Sequence, residues 1–179
     1  MQLTWLLQII CLLNINYANL KFINFTNITC ETMDTTISTI EYCYIGHVNE
    51  LKNYMSLRYA LRKPIIKDIG FHLQLMKRSN GWKPFLYGID IDMCRFWKSN
   101  YNAIAKLVFS LIDGHTNINH SCPYKDEKYI FIDNLMNTDI SQKIGGLPFG
   151  KGLYALNAEW SWRNVSRVRA KIYFEVLKV

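Results

Sequence analysis

The stretch that decides the fold runs from Gly81 to Tyr124 and reads GWKPFLYGIDIDMCRFWKSNYNAIAKLVFSLIDGHTNINHSCPY. It follows Asn80, and the Asn-Gly pair at 80–81 is typical of the tight turn of a β-hairpin. An aromatic-rich strand from Lys83 to Asp90 comes next, then a helix and a polar loop that carries a cysteine. This order predicts a helix fastened onto a sheet.

The helix, predicted at about residues 93–112, has the clearest period in the sequence. Its apolar residues recur at steps of three and four, and polar residues fall on the opposite side, so one face is expected to be buried. The apolar face consists of Phe96, Trp97, Tyr101, Ile104, Val108, Leu111 and Ile112. Asp92 is expected to cap the first turn through its side-chain oxygen, and Gly114 supplies a stop signal.

The rest of the chain is predicted to be mainly β-structure. Strands are expected where apolar and polar residues alternate or where β-branched and aromatic residues are concentrated. These stretches are residues 20–30, 37–48, 55–62, 69–76, 83–90, 129–136, 153–162 and 165–179. Residues 137–143 are predicted to be a polar connection and residues 145–152 a flexible bend. Seven to eight strands with one inserted helix indicate an antiparallel, immunoglobulin-like β-sandwich.

The N-terminus predicts export. Residues 1–18 resemble a secretory signal peptide, with an apolar run from Leu3 to Leu13 and Ala18 before the cleavage point. The run is too short for a permanent transmembrane anchor, and no second candidate follows it. We therefore expect residues 19–179 to form a single secreted, extracellular domain that is not a transmembrane protein.

Cysteine usage agrees with an oxidising compartment. Cys11 leaves with the signal peptide, and the remaining four, Cys30, Cys43, Cys94 and Cys122, form an even set. Three pairings are possible, and we favour Cys30 with Cys43 and Cys94 with Cys122 because each pair closes a local element. No two cysteines have the C-x-x-C spacing of a zinc site, so no metal is expected.

Four sequons predict N-glycosylation, at Asn24, Asn27, Asn119 and Asn164. Asn24 and Asn27 are three residues apart, so on a regular strand they would face opposite sides. We therefore expect that these two residues do not both carry a glycan.

The formal charge of +7 restricts the partners. A basic secreted protein is suited to anionic lipid or acidic glycan, or uses its charge for solubility. The compartment, rather than the charge, excludes nucleic acid. Arg167, Arg169 and Lys171 form a basic stripe on the last strand, which is either an anionic contact surface or a solvated face.

Several local patterns together resemble a known family. They are PFLY at 84–87, DMCRF at 92–96, NINHSCPY at 117–124, and Leu147-Pro148 followed by Gly152 and Tyr154. The resemblance is to a large insect family of small secreted proteins that carries a domain of unknown function and includes the CheB chemosensory proteins. It extends from about Phe25 to Val179. The spacing between the Leu-Pro pair and Tyr154 is longer than is usual in that family.

The resemblance implies a fold similar to the ML lipid-recognition sandwich, in which two sheets separate enough to admit an acyl chain. ML proteins commonly join an early strand to a late one by a disulfide, whereas this chain has no cysteine after Cys122. Within the insect family a few members are tied to pheromone or taste perception. The resemblance therefore implies a small hydrophobic ligand, such as a lipid or a pheromone-like molecule, and a membrane receptor as a further partner.

The first functional hypothesis is a non-enzymatic binding protein for such a ligand. Aromatic residues make up 14% of the chain, and apolar residues of the paired strands and the helix could line a pocket. The candidates are Phe71, Leu73, Leu75, Phe85, Tyr87, Ile89, Phe96 and Tyr101. The competing interpretation is that these residues fill an ordinary sandwich core.

The second hypothesis is an extracellular interaction module without an internal ligand. Trp160 and Trp162 are two residues apart, so on a strand both rings would face one side and could bind glycan or protein. The competing interpretation is that both rings pack inside the molecule.

Catalysis is not predicted. Asp90 and Asp92 could form an acid/base pair, but Asp92 is better explained as a helix cap. His115 and His120 match no known metal-ligand spacing, and neither a G-x-S-x-G nor an H-E-x-x-H motif is present. We expect no enzyme activity and no cofactor.

Overall fold

The computed structural model describes residues 21–65, 67–124 and 128–178, which form two antiparallel sheets packed face to face. The elements are β1 Lys21–Thr32, β2 Ser38–His47, β3 Asn53–Leu61, β4 Ile69–Ser79, β5 Gly81–Pro84, β6 Ile89–Asp92, α1 Met93–Ser99, α2 Ala103–Ile112, β7 Tyr129–Met136, α3 Asn137–Ile144, β8 Gly152–Trp162 and β9 Val165–Lys178. The predicted antiparallel sandwich is confirmed, although these residues contain nine strands rather than seven to eight. The predicted signal peptide lies outside the described residues.

The large sheet has the strand order β1-β9-β8-β4-β5, with β6 also pairing with β4, and the small sheet has the order β2-β3-β7. Alternation places one side of each strand in the core between the sheets. On β3, for example, the apolar side chains of Met55, Leu57 and Tyr59 are buried, whereas Arg58, between the last two, is half-buried. Among the described residues, no helix is long and apolar enough to cross a membrane.

The strand predicted at residues 83–90 is interrupted. Pro84 pairs with Met76 and Ile89 pairs with Leu73, so four residues, 85–88, lie opposite only two residues of β4. The backbone N–H groups of Phe85 and the next residue both donate to the carbonyl oxygen of Leu75, which ends the regular ladder. The continuous-strand prediction was wrong because the apolar pattern does not reveal this looped-out segment.

The single helix predicted at 93–112 is two helices. Asn100 adopts a left-handed conformation that ends α1, and the side chain of Asn102 accepts a hydrogen bond from the backbone N–H of Ala105 (2.9 Å) at the start of α2. The predicted Asp92 cap is present, since Oδ1 accepts from the N–H of Arg95 (3.0 Å). The apolar period continues across the break, which is why the prediction joined the helices.

The polar connection predicted at 137–143 is instead helix α3. Its buried residues are Asn137, Ile140 and Ile144, which recur at steps of three and four and pack into the core. The remaining positions are polar, and this composition led to the prediction of a loop. Two apolar residues in eight are sufficient for a short helix when both are buried.

Both favoured disulfides are formed in the structure, Cys30 with Cys43 and Cys94 with Cys122. The first joins β1, the edge strand of the large sheet, to β2, the edge strand of the small sheet. The second joins α1 to the loop before β7. One disulfide therefore connects the sheets along one edge, and the other holds the helical segment.

Two buried asparagine side chains also connect the sheets. Asn53 of β3 donates from Nδ2 to the carbonyl oxygen of Phe25 in β1 (2.8 Å). Asn137 accepts from the backbone N–H of Asn53 (3.2 Å) and donates from Nδ2 to the carbonyl oxygens of Ile23 and Leu51 (both 3.0 Å). Both side chains are at most 2% exposed, so water cannot reach the backbone groups that they contact. The side-chain amides supply the hydrogen-bond partners of these groups instead.

The sequons of β1 do not follow regular alternation. A bulge between Phe25 and Asn27 makes Asn24 pair with Glu175 and Asn27 pair with Tyr173, two residues that share one face of β9. The prediction that Asn24 and Asn27 face opposite sides was therefore wrong. Asn24 is half-buried, whereas the sequon asparagines at positions 27, 119 and 164 are exposed. Glycosylation at these four positions stays a prediction.

We expect Asn137→Ala to lower the free energy of unfolding by about 3 kcal/mol, because the backbone groups of Ile23, Leu51 and Asn53 lose a buried partner. Urea unfolding of the oxidised protein measures the change. Gln142→Ala, at an exposed position of the same helix, is the control and should cost at most about 0.5 kcal/mol. Equal effects of the two substitutions would contradict a linking role for Asn137.

Candidate functional site

Two apolar cavities lie between the sheets, beside helix α2. The inner cavity has a volume of about 100 Å³ and the mouth cavity about 160 Å³. Both are lined almost wholly by hydrocarbon and aromatic side chains. They are adjacent, since six residues line both, namely Met55, Leu73, Val108, Ile112, Leu156 and Ile172. The interior therefore contains one extended apolar space in two parts, rather than a uniformly filled core.

The inner cavity is enclosed by both sheets. Its walls come from β3, β4, β7, β8 and β9, together with α2, and every residue that lines it is buried or half-buried. Only two of its side chains carry an N–H or O–H group, Tyr59 and Trp160. The Tyr59 hydroxyl donates to the carbonyl oxygen of Arg169 (3.2 Å), and burial raises the pKa of Tyr59 well above its usual range. This hydroxyl therefore stays protonated and committed to the backbone.

The mouth cavity reaches the surface at three exposed apolar residues. Leu86 and Ile104 are 44% and 45% exposed, and Tyr87 is 94% exposed, yet all three line the cavity. Leu86 and Tyr87 belong to the looped-out segment between β5 and β6, and Ile104 lies in the first turn of α2. The interruption of the strand thus places apolar side chains at the rim of an apolar space.

Helix α2 forms the wall that the two cavities share. Ala105 and Phe109 are buried on its inner face, and Val108 and Ile112 line both cavities. Lys143 of α3 donates from Nζ to the carbonyl oxygens at the last turn of α2, at 2.7 Å to residue 110 and 3.3 Å to residue 111. A cation at this position satisfies carbonyl groups that the helix leaves unpaired and complements the helix dipole.

Five of the eight predicted pocket residues line the cavities. Phe71 lines the inner cavity, Leu73 lines both, and the mouth cavity includes Leu75, Tyr87 and Ile89. Leu73 pairs directly with Ile89 across the β4–β6 ladder, which is the side-by-side arrangement that the prediction assumed.

The other three predicted residues, Phe85, Phe96 and Tyr101, line neither cavity. Phe85 packs against the rings of Phe149 and Tyr154, with centroid distances of 5.9 and 5.3 Å. Phe96 is only 1% exposed and is surrounded by aromatic rings of its own helical segment. Tyr101 is 41% exposed, and its hydroxyl accepts from the backbone N–H of residue 92 (3.0 Å), so it fastens the break between the helices.

The prediction missed lining residues on β3, β8, β9 and α3. Met55, Leu156 and Ile172 contribute to both cavities, and Ile140 and Ile144 contribute to the mouth cavity. A signal was present, since Ile172 belongs to the alternating apolar side of the last strand. Alternation identifies an inward side chain but not whether it meets another side chain or a void.

The tryptophan platform of the second hypothesis is not on the surface. Trp160 is 7% exposed and contacts Phe71 and Tyr124 edge to face. Trp162 is half-buried, with the guanidinium groups of Arg163 and Arg167 over its ring at 4.9 and 6.0 Å. The structure therefore contradicts an exposed Trp160/Trp162 face, because Trp160 faces the core.

The basic stripe on β9 is partly neutralised. Arg167 forms an ion pair with Asp34, and Arg169 binds Glu159 through Nη2 (2.8 Å) and lies 3.5 Å from Glu31. The nearby Ser166 hydroxyl and the contact with Arg169 lower the pKa of Glu159 below its ordinary value. This face is therefore a network of ion pairs more than an open anion-binding surface.

An aromatic cluster covers the outer face of the small sheet around Arg58. Its guanidinium donates to Asp133 Oδ2 (2.8 Å) and lies over the rings of Tyr42, Tyr129 and Phe131 at 4.9, 5.5 and 5.4 Å. Tyr42 donates to Asp133 Oδ1 (2.5 Å), and burial together with this hydrogen bond raises the pKa of Tyr42 to about 12. Both oxygens of Asp133 therefore accept, and the arginine charge is balanced.

Two more tyrosines extend this cluster. Tyr44 is 44% exposed and contacts the Tyr54 ring edge to face. Tyr54 lies over Gly46, where a Cβ atom would come within 2.2 Å of the ring. Only glycine lets the ring lie flat against β2, so the outer face presents a broad, nearly neutral aromatic surface.

Of the residues weighed for catalysis or metal binding, Asp90 and Asp92 line one polar pocket at the surface, and neither His115 nor His120 lines it. Asp90 pairs with His72 (2.8 Å), Asp92 caps α1, and His115 contacts the backbone of β7 and Asp139 (3.4 Å). Within residues 21–65, 67–124 and 128–178, no group of three or more His, Cys, Asp or Glu side chains could hold a metal ion.

Comparison with known proteins gives a family and two distant structures. The family described as "Protein of unknown function (DUF1091)" matches residues 71–156. No curated protein matches the sequence. The chain is similar to a Niemann-Pick type C2 protein from Japanese carpenter ant, with 10% identity, a TM-score of 0.35 and coverage of 88% of this chain and 93% of that chain. It is also similar to chicken MD-1 complexed with lipid IVa, with 13% identity, a TM-score of 0.33 and coverage of 87% and 96%.

The family match agrees with the resemblance found in the sequence at the level of a family of unknown function. It runs from β4 into β8 and so includes the looped-out segment, both helices at the cavity wall and the cysteine loop. The more specific likeness to the CheB chemosensory proteins stays a prediction.

We expect Ala158→Val to raise the free energy of unfolding by about 1 kcal/mol, because two added methyl groups fill part of the inner cavity that Ala158 lines. Thermal and urea unfolding of ligand-free protein measure the change. Ala60→Val, on the outer face of β3, controls for strand propensity. If Ala158→Val destabilises the protein by more than about 1 kcal/mol, as overpacking does, the interior is already filled.

Proposed function

We propose that this chain is a secreted, non-enzymatic binding protein for a small hydrophobic ligand, a lipid or a pheromone-like molecule, held between the sheets. The observation that supports the proposal is the apolar space, whose two parts share six lining residues and which reaches the surface at Leu86, Tyr87 and Ile104. Protein interiors normally contain few voids larger than a water molecule. A void of this size, bounded by hydrocarbon and open at an apolar rim, is suited to an apolar guest.

The volumes restrict the guest. An apolar cavity of about 150 Å³ stays dry and binds benzene, and typical small-molecule sites begin at about 300 Å³. Cavities of about 100 and 160 Å³ together approach that lower limit. Each buried methylene contributes about 0.8 kcal/mol to the binding free energy. A single hydrocarbon chain of moderate length can therefore bind without a strong polar anchor.

The extracellular setting rests on independent features. Two disulfides, four sequons and the predicted signal peptide all fit a secreted protein. The resemblance to insect secreted proteins supports a role in chemosensory perception, with a membrane receptor as the partner that responds to the loaded protein. The residues that line the two cavities include no catalytic arrangement of side chains, which supports a carrier rather than an enzyme.

A second candidate function, an extracellular module that binds glycan or protein, is favoured by one observation. The Arg58 cluster presents Tyr44 and Tyr129, which are 44% and 39% exposed, on a flat sheet face. Tyrosine and arginine are enriched at binding surfaces because each combines apolar area with a polar group. This face replaces the Trp160/Trp162 platform.

Native mass spectrometry of protein secreted by eukaryotic cells, followed by organic extraction, tests the main proposal. We expect a co-purified apolar molecule, or saturable displacement of N-phenyl-1-naphthylamine by long-chain hydrocarbons. Val108→Phe places a ring where both cavities meet and should weaken binding about tenfold or more. Ala103→Phe introduces the same ring at an exposed position of α2 and should leave binding unchanged. Failure to extract or load any apolar molecule would reject the proposal.

The second candidate predicts that wild-type protein binds defined members of a glycan array. The double substitution of Tyr44 and Tyr129 by alanine should abolish that binding while secretion and probe binding persist. Tyr87→Ala, which removes a more exposed tyrosine ring at the cavity rim, is the control. Binding that survives the double substitution excludes this face.

A further inference from the structure

Trp160 lines the inner cavity and carries an indole N–H that no group of the described residues accepts. Trp160 lies in β8, pairs with Phe71 and Val168 on the neighbouring strands, and is 7% exposed. Its ring lines the inner cavity, and its Nε1 is buried without a hydrogen-bond partner among the residues that the structure describes. A buried tryptophan N–H usually has a partner, so its absence here requires an explanation.

Among residues 21–65, 67–124 and 128–178 no acceptor is hydrogen-bonded to this N–H, although Trp160 also lines a small pocket with Ser38 and Arg167. The nearest rings, Phe71 and Tyr124, meet it edge to face at centroid distances of 6.5 and 6.0 Å. The hydroxyl of Tyr59, which is the other polar group of this lining, donates to the backbone, and no hydrogen bond joins it to Trp160. A bound water needs two to four polar partners, and the lining offers at most two, the Trp160 N–H and the Tyr59 oxygen. The missing acceptor is therefore best supplied by a guest molecule.

We propose that the ligand carries an uncharged acceptor oxygen, a ketone, ester or ether, which accepts a hydrogen bond from Nε1 of Trp160. The inference rests on the proposed function and refines it. A carboxylate is disfavoured because this apolar cavity supplies no counter-charge. An alcohol would need a further acceptor for its own O–H, for which this lining offers the Tyr59 oxygen alone, whereas a carbonyl needs only the donor that Trp160 provides.

The hydrocarbon part of such a ligand extends toward the mouth cavity. The six residues that line both cavities form a shared apolar wall between Trp160 and the rim at Leu86, Tyr87 and Ile104. The oxygen therefore enters first and the chain follows. A pure hydrocarbon fits the same path but leaves the indole N–H unpaired, so the cavity discriminates between oxygenated and unoxygenated chains.

The test compares methyl undecyl ketone with n-tridecane, two probes of equal chain length, by displacement of N-phenyl-1-naphthylamine. In wild-type protein the ketone should bind about fivefold to tenfold more tightly than the alkane, as one buried hydrogen bond allows. Trp160→Phe keeps a ring in place and removes the N–H, so this preference should disappear. Trp97→Phe removes another buried, unpartnered indole N–H that lines neither cavity, and should leave the preference unchanged.

A second measurement uses the wild-type protein alone, so the proposal stays testable if Trp160→Phe does not fold. With nitrogen-15 labelling, one indole N–H resonance should move downfield on addition of the ketone and remain unmoved with the alkane. If the ketone and alkane bind equally, or if Trp160→Phe changes both affinities alike, the proposed hydrogen bond is overturned and the carrier function stands. If neither probe binds wild-type protein, the carrier function fails as well.

Discussion

The two sheets are joined firmly along one edge, and this constraint governs the rest of the structure. The Cys30–Cys43 disulfide ties β1 to β2, and the buried amides of Asn53 and Asn137 join the same edge strand to β3 and α3. Because the sheets are held there by covalent and hydrogen bonds, they need not pack side chain to side chain elsewhere. On the side of β4 and β7 the space between them is instead bounded by α2, and the cavities lie there.

The two unfilled cavities make this sandwich less stable than one with a filled core. Each 100 Å³ of unfilled apolar cavity destabilises a fold by about 2 kcal/mol, and this chain keeps two cavities of that order. In a domain whose net stability is about 5–15 kcal/mol, such voids cost a substantial part of the total. The disulfides and the asparagine network offset the loss, since they stabilise the edge without filling the interior.

The sequence predicted the elements and the links well, for identifiable reasons. The four cysteines paired as expected because each pair closes a local segment, and Asp92 capped a helix because its side chain reaches an N–H three residues on. The errors occurred where the local sequence pattern gives no signal of the structural change. Asn100 and Asn102 split a helix without disturbing its apolar period, and residues 85–88 loop out of a strand whose composition stays strand-like. The bulge at Phe25 changed the face of Asn27 in the same way.

Those local irregularities are also what create the site, which explains why the site was harder to predict than the fold. A continuous strand at 83–90 would have kept Tyr87 on the ladder, and the rim would be missing. An unbroken helix at 93–112 would have fixed α2 on the axis of α1, rather than across the space between the two sheets. A ligand in the resulting space restores part of the lost stability by mass action, by about 2.7 kcal/mol at a free concentration one hundred times Kd. Under the proposed function, the loaded protein is therefore the more stable form.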